Sequence, residues 1–186
     1  MRSWRPIASS RLSASVISVA SFFVSRVDTE ADRRLEEVGR TDLQGKLAVA
    51  NAKLAYAHWK ETFAGDRWDF LLSKGARSQR CLWASTSTKN PAYRDVLYVE
   101  ELIGPEVVNT MPLETVQAFQ DHGEVRDTLE EGLDEAHALF EELAAAGVDY
   151  DDVVATLEDE GVQKFSHSFD ELRQGITDKL AVVAAR

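Results

Sequence analysis

Cysteine and long apolar runs are scarce in this sequence, and each scarcity excludes a class of protein. The single cysteine, Cys81, excludes an internal disulfide and lies in an apolar run, so we expect a buried thiol and a reducing, cytoplasmic compartment. No run reaches the roughly 18 apolar residues of a membrane-spanning helix. Glycine-rich phosphate loops and nucleophile elbows are absent, and the histidines lack metal-ligand spacing. We therefore expect no metal site and no cofactor.

Acidic residues are missing from the beginning of the chain and abundant afterwards. The 186 residues carry a formal net charge of −11, which argues against nucleic acid or an anionic membrane as a partner. Residues 1–15 are basic, rich in serine and without periodicity, so we interpret them as disordered or as a non-native start. A short signal peptide or an organellar transit peptide remains an alternative for this opening. Residues 16–186 have the composition of one globular domain.

The stretch RCLWASTSTKNP, residues 80–91, organises the rest of the sequence. Its apolar part, residues 81–84, has the length of a strand buried on both faces. Ser85 follows with three more hydroxyl residues and Lys89, which is the type of loop that holds an anion at the carboxyl end of a parallel strand. The alternative is a solvated serine/threonine loop that precedes a helix.

Two further buried strands are predicted, at residues 16–24 and 107–110, from their β-branched and aromatic residues. Arg26 follows the first of them. An arginine at the end of a buried strand is costly unless it meets an anion, either a ligand or the carboxylate of Asp28 or Asp32. Arg26 is therefore a second candidate for binding an anion.

Helices are predicted between and after the strands from apolar residues at helical spacing. The first helix is capped by Asp28 or Thr29 and continues to Val38. A later one starts at the capping box Thr128-x-x-Glu131 and stops at Gly147. The other predicted helices are 43–64, 67–74, 113–120, 151–160 and 162–184, with a short helix or turn in 93–102.

Side-chain positions follow from the same patterns. Lys46, Lys53 and Lys60 share the polar side of the helix 43–64 and are expected to be solvated. Leu71 and Leu72 are expected to face the core, as is Trp68. Short buried strands that alternate with helices predict a parallel α/β fold, and three strands are too few to close a barrel.

Three segments carry a resemblance to a known family: SVASFFVSRVD at residues 18–28, WASTSTKNPAY at 83–93 and VNTMP at 108–112. Together they resemble the carboxyl-terminal half of bacterial transaldolases, especially the long actinobacterial form. The resemblance implies part of a (β/α)8 TIM barrel, about three parallel strands with helices, followed by a carboxyl-terminal helical segment. It also implies the pentose phosphate pathway, in which transaldolases move a dihydroxyacetone unit between sugar phosphates through a lysine Schiff base.

The same resemblance assigns candidate site residues. Arg26 and Ser85 match the arginine and serine that bind the substrate phosphate in the family, and Lys89 is an additional candidate contact. The Schiff-base lysine and its acidic partners lie on earlier strands in transaldolases, so no catalytic residue is assigned and an inactive fragment is expected. A non-catalytic module that binds sugar phosphates or another half-barrel is the alternative. We also expect self-association through the open half-barrel.

Overall fold

A three-stranded parallel sheet is the centre of the fold. The computed structural model describes residues 16–184, in which β1 (Val19–Phe23), β2 (Arg80–Ala84) and β3 (Val107–Asn109) are neighbours in chain order. Both strand pairings are parallel, so the carboxyl ends of the three strands lie at one edge of the sheet. The predicted parallel α/β arrangement is confirmed. Residues 1–15, expected to be disordered or non-native, lie outside the described residues.

The register of the sheet aligns the apolar runs of the three strands. Phe22 lies opposite Trp83, and Trp83 lies opposite Asn109. The second strand contains the apolar run 81–84 and begins one residue before it, at Arg80. The first strand is shorter than predicted, and the third ends at Asn109, one residue before its predicted end.

Helices lie between the strands in the chain and continue after the last strand. Within residues 16–184 they are α1 (Val24–Glu37), α2 (Leu47–Thr62), α3 (Asp66–Ser73), α4 (Leu97–Glu100), α5 (Leu113–His122), α6 (Leu133–Ala145) and α7 (Tyr150–Ala184). A single 3₁₀ turn, Thr41–Leu43, precedes α2, so the helix predicted from residue 43 begins four residues later.

The start of α1 differs from the prediction. The helix begins at Val24, directly after β1, with Phe23 as an N-cap that makes no side-chain hydrogen bond. Asp28 and Thr29, the predicted caps, lie inside the helix. The Thr29 hydroxyl donates to the carbonyl of Ser25, one turn earlier, at 2.8 Å. Arg26 therefore lies in the first turn of a helix and not at the end of a strand.

Two apolar clusters hold the layers together. One lies between the sheet and helices α2 and α4, around the fully buried Trp83, whose ring centre is 5.5 Å from that of Phe22. The other joins α1, α2, α6 and the beginning of α7 through Leu35, Leu47 and Leu143. Burial of side chains of this size stabilises the fold by about 1.5–3 kcal/mol each, so these clusters fix how the helices pack.

Two predictions about burial were wrong. Lys53 is buried, because its ammonium group lies 3.0 Å from a carboxylate oxygen of Glu101 and its alkyl stem is covered. In α3, Leu71 and Leu72 are exposed, and the structure buries no residue of that helix. Trp68 is half-buried and packs edge-on against Phe63, with 4.8 Å between ring centres.

The predicted capping box at Thr128 does not form. Helix α6 begins at Leu133, after Gly132 in a left-handed conformation. The Thr128 hydroxyl donates instead to the carbonyl of Glu100 at 2.6 Å and accepts from the amide of Ile103 at 3.2 Å. This side chain therefore satisfies backbone groups at the end of α4 and not those of its own helix.

The last two predicted helices are one. Helix α7 runs through Gly161 without a break, since a single helical glycine costs only about 1 kcal/mol. Its second half carries an apolar strip, which we call the outer strip: Val162, Phe165, Phe169, Leu172, Ile176, Leu180 and Val183. Every member of the outer strip is 51–68% exposed. Within residues 16–184, no helix has both the length and the apolar character needed to cross a bilayer.

Candidate functional site

The carboxyl ends of β1 and β2 meet at a pair of serines. The amide of Ser25 donates to the carbonyl of Ser85 at 3.0 Å, and the two hydroxyl oxygens lie 2.7 Å apart. Ser25 is buried and Ser85 is half-buried. Since each hydroxyl has one proton and two lone pairs, the pair retains capacity to donate or accept at this edge of the sheet.

Ser85 is held in an uncommon backbone conformation. Its φ is +58°, in the left-handed region that residues with a β-carbon enter at a cost of about 1–3 kcal/mol. The turn redirects the chain directly after β2, so that the Ser85 side chain faces Ser25. Strain of this kind is typical of functional sites.

The next hydroxyl along the loop is used to join β2 to β3. The Thr86 hydroxyl is fully buried and lies 2.9 Å from the side-chain oxygen of Asn109 and 3.1 Å from the carbonyl of Thr110. The amide and the hydroxyl of Thr110 both donate to the carbonyl of Trp83, at 2.9 and 3.1 Å. Thr86 is therefore a structural side chain.

Arg26 lies one residue beyond the serine pair, on the first turn of α1. Its guanidinium carbon is 4.5 Å from the centre of the Phe23 ring, in cation–π contact. It lines a cavity of about 730 Å³ between β1, α1, α2 and α7. Asp28 and Asp32 do not pair with it, because their carboxylates bind the hydroxyls of Tyr98 and Tyr93. The ion-pair alternative for Arg26 is thus wrong.

Lys89 is separated from Arg26. It is exposed in the loop, and its ammonium group donates to the Ser87 hydroxyl at 2.7 Å. It lines a different cavity, of about 470 Å³, together with Asp32 and Tyr93. Of the three candidate residues, Ser85 contacts Ser25, the residue directly before Arg26. Arg26 and Lys89 line two different cavities.

The carboxylate of Asp28 lines this second cavity, and its burial was not predicted from the sequence. Asp28 is 1% exposed and accepts hydrogen bonds from the amide of Ala48 at 2.7 Å and from the Tyr98 hydroxyl at 2.7 Å. Burial raises the pKa of Asp28 to about 6, against the lowering effect of these two hydrogen bonds. The same environment raises the pKa of the Tyr98 hydroxyl.

Lys53 is a second residue whose environment the sequence did not reveal. It lines a cavity of about 590 Å³ between α2, α4 and α6, on the helical side of the molecule. Its ammonium group is paired with Glu101, and the residues that line this cavity belong to helices and the turns beside them. This pair joins α2 to α4, and we assign it a structural role.

Comparisons with known proteins identify the family. A family model described as Transaldolase/Fructose-6-phosphate aldolase matches residues 7–176, which is most of the chain. The chain belongs to this family. The match begins within the opening stretch that we expected to be foreign, so residues 7–15 fall inside it.

Individual members of the family are similar over most of this chain. The transaldolase of Acidothermus cellulolyticus is 57% identical over 166 residues, which is 88% of this chain and 45% of the relative. The transaldolase of Frankia alni is 53% identical over 167 residues, again 88% and 45%. That of Mycobacterium leprae is 51% identical over 174 residues, 91% and 46%. The chain thus spans about half the length of the curated relatives it matches.

Membership in the family places the sheet within a known architecture. Transaldolases are (β/α)8 barrels, and the three parallel strands with their helices form part of such a barrel. The Ser25–Ser85 junction lies at the carboxyl ends of the strands, which is the edge where barrel enzymes carry their active sites.

Proposed function

We propose that this chain is the carboxyl-terminal half of a transaldolase and supplies the site for the substrate phosphate. The observation that carries the proposal is the junction of Ser25 and Ser85 at the strand ends, with Arg26 adjacent, in a chain of this family. In the whole enzyme the reaction would transfer a dihydroxyacetone unit between sugar phosphates, in the pentose phosphate pathway. A cytoplasmic location is part of the same proposal.

Each candidate residue has a distinct role in the proposed site. Arg26 offers a planar guanidinium that can hold two phosphate oxygens at once. Ser85 offers a hydroxyl that donates to a third oxygen. Lys89 contributes a mobile positive charge from the loop, which has to swing away from Ser87 to reach the phosphate. Charge-assisted bonds of this type contribute roughly 1.5–3 kcal/mol each.

The proposal assigns no catalytic residue to this chain. A Schiff-base lysine attacks a carbonyl as the neutral amine, which requires an apolar site close to an acid/base group. No lysine occurs in residues 1–15, and those in the described part of the chain lie on helices, at helix ends or in a loop: Lys46, Lys53, Lys60, Lys74, Lys89, Lys164 and Lys179. The strands of the described part contain none. We therefore infer that residues 1–186 alone are inactive.

Reduction with borohydride tests the proposal directly. Purified chain is incubated with fructose 6-phosphate, reduced, and examined by intact mass spectrometry, with the Acidothermus cellulolyticus transaldolase as the positive control. We expect an adduct on the control and none on this chain. An adduct on any lysine of this chain would show that it carries its own nucleophile and would refute the proposal of an inactive half.

A non-catalytic interaction module is the second candidate function. The outer strip favours it, since a row of apolar side chains this exposed is typical of a surface that binds another protein. Binding of inorganic phosphate separates the two candidates. Weak, saturable binding that is lost in Arg26→Ala supports the phosphate site, whereas no binding favours the interaction module.

A further inference from the structure

The segment that carries Ser85 and Lys89, residues 85–96, connects β2 to α4, and we call it the β2–α4 loop. Its beginning is held at the sheet, where Ser85 contacts Ser25. Its end continues into α4, which is packed in the core. Between these two ends, every residue of the range 89–95 is exposed except Tyr93, which is half-buried. Tyr93 is therefore the residue that can anchor the middle of the loop.

Tyr93 is bound to α1 through Asp32. Its hydroxyl donates to one carboxylate oxygen of Asp32 at 2.5 Å, across 61 positions of the sequence. The other oxygen accepts from the amide of Gly45 at 2.8 Å, so the same carboxylate also fixes the turn before α2. Burial and the bond to the carboxylate raise the pKa of the Tyr93 hydroxyl. The hydroxyl therefore stays protonated and donates to Asp32 at neutral pH.

The ring of Tyr93 lies directly against the backbone of Gly45. A β-carbon at position 45 would lie 2.8 Å from the ring carbon that bears the hydroxyl, which is closer than side chains approach one another. Gly45 also has a φ of +73°, in the left-handed region that favours glycine. The contact therefore depends on a glycine at this position and is part of the packing of the fold.

Helix α1 binds the β2–α4 loop and the start of α4 at three points. The residues of α1 that do so are three and four positions apart, which places them on one side of the helix. The three side-chain contacts, of 2.5–2.7 Å, are Ser25–Ser85, Asp28–Tyr98 and Asp32–Tyr93. Arg26 belongs to the same helix, so these contacts also set where the loop lies relative to Arg26.

Asp28 and Asp32 make similar bonds in different surroundings. Asp28 is 1% exposed and binds a tyrosine of α4, so its bond belongs to the core. Asp32 and Tyr93 are half-buried, and Tyr93 belongs to neither of the two apolar clusters. Their bond restrains a polar loop, which without a restraint would sample many conformations. The Asp32–Tyr93 bond therefore orders the loop more than it stabilises the core.

Ser85 depends on such a restraint because its backbone is strained. A φ of +58° costs about 1–3 kcal/mol and persists only where the surrounding structure fixes it. Ser25 fixes the chain at Ser85 itself, and Tyr93 fixes the chain eight residues later. The same restraint keeps Lys89 beside the cavity of about 470 Å³ that Tyr93 and Asp32 also line.

We propose that Asp32 and Tyr93 are positioning residues for the phosphate site, because their bond holds the β2–α4 loop on α1 and thereby presents Ser85 and Lys89 to the anion. This inference rests on the proposed function above. Both residues act through the loop and not by contact with the phosphate. A loop that is already ordered loses little conformational entropy when the anion binds, so the affinity is higher without any additional contact.

Phosphate binding and hydrogen exchange of the 186-residue chain test the proposal together. Tyr93→Phe keeps the ring against Gly45 and removes only the hydroxyl. We expect the Kd for inorganic phosphate, measured by NMR titration, to rise about threefold to tenfold. The amides of residues 92 and 93 are hydrogen-bonded to Asn90 within the loop. They should exchange about fivefold faster or more, while the amides of β2 keep their rates.

Asp32 supplies a matched pair of variants. Asp32→Ala removes the acceptor, so it should raise the Kd at least as much as Tyr93→Phe does. Asp32→Asn keeps an oxygen for the amide of Gly45 and offers an N–H group to the Tyr93 oxygen, so binding should stay within about twofold of the native chain.

Tyr56→Phe is the control for the loss of a tyrosine hydroxyl elsewhere. The Tyr56 hydroxyl donates to the carbonyl of Pro105 at 3.1 Å and makes no bond to the β2–α4 loop. This variant should change neither the Kd for phosphate nor the exchange of the amides of residues 92 and 93.

The outcomes separate the positioning role from the phosphate site itself. If the native chain binds phosphate and Tyr93→Phe binds it equally well, the positioning role is overturned and the proposed function stands. Faster exchange throughout the chain, or equal effects of Tyr93→Phe and Tyr56→Phe, would mean a general loss of stability and would also overturn the positioning role. A native chain that binds no phosphate would refute the proposed function and the positioning role with it.

Discussion

The carboxylate of Asp28 on α1 accepts a 2.7 Å hydrogen bond from the hydroxyl of Tyr98 on α4, seventy positions away. Its other oxygen accepts from the amide of Ala48 in the first turn of α2. One buried side chain therefore joins three helices. The cost of this arrangement is the burial of a charge, which raises the pKa of Asp28 to about 6 from 3.8.

The stability of the fold should depend on pH through Asp28. Because the folded state holds the proton more tightly than the unfolded state, this group stabilises the fold most below pH 3.8, and that contribution is lost as the pH rises through about 6. Asp28→Asn removes the titration. We expect the free energy of unfolding of the native chain, relative to Asp28→Asn, to fall by roughly 2–3 kcal/mol between pH 4 and pH 8.

Urea unfolding followed by tryptophan fluorescence at both pH values measures this difference. Asp69→Asn, an exposed aspartate of α3, is the matched control and should give a difference near zero. A difference for Asp28→Asn that is the same at both pH values would mean that Asp28 does not titrate in this range.

Substitution of Thr128 should also destabilise the fold strongly. Its hydroxyl is buried, donates to the carbonyl of Glu100 and accepts from the amide of Ile103. Thr128→Val keeps the shape of the side chain but leaves both backbone groups unpaired, so we expect a loss of about 1–3 kcal/mol in the free energy of unfolding. Thr62→Val, at the exposed end of α2, should cost less than about 0.5 kcal/mol. Equal costs would contradict the assigned role of Thr128.

Asp28 and Thr128 also show why parts of the fold escaped prediction. Both residues have the side chains and spacing of local helix caps, which predicted that they cap the helices that follow them. In the structure each one binds backbone groups of a different element, twenty or more positions away. Capping rules describe which groups need partners, but they cannot say whether a local or a distant side chain supplies the bond.

The strands were easier to predict than the site. The apolar run of β2 is bounded by a basic residue and a polar loop, so both of its ends were visible in the sequence. Ser85 was also identified, whereas its contact with Ser25 and the separation of Arg26 from Lys89 depend on how α1 leaves β1. That geometry is set by packing of α1 against α2, which periodicity does not encode.

Cys81 should be unreactive in the native chain. It is 3% exposed within the cluster around Trp83, and burial raises the pKa of its thiol to about 11, so the thiolate is scarce at pH 8. We expect a disulfide reagent to label it at pH 8 only at the rate at which the fold opens, and rapidly in urea. Rapid labelling without denaturant would show that β2 is accessible and that this cluster is loosely packed.

The proposed phosphate site makes the sharpest prediction, and its test requires a complete barrel. In a chimera that supplies the missing strands from a relative, Arg26→Ala should raise KM for a phosphorylated substrate on the order of 10- to 100-fold, because one charge-assisted contact is lost. KM for unphosphorylated dihydroxyacetone should hardly change.

Two other variants serve as controls for Arg26→Ala in that chimera. Arg33→Ala removes an exposed arginine of the same helix that pairs with Glu30 and Glu37, and it should leave both KM values unchanged. Lys89→Ala should have a smaller effect than Arg26→Ala, because Lys89 lines a different cavity and reaches the phosphate only by moving. If Arg26→Ala weakens both substrates equally, Arg26 is a structural residue that holds Phe23, and the phosphate is bound elsewhere.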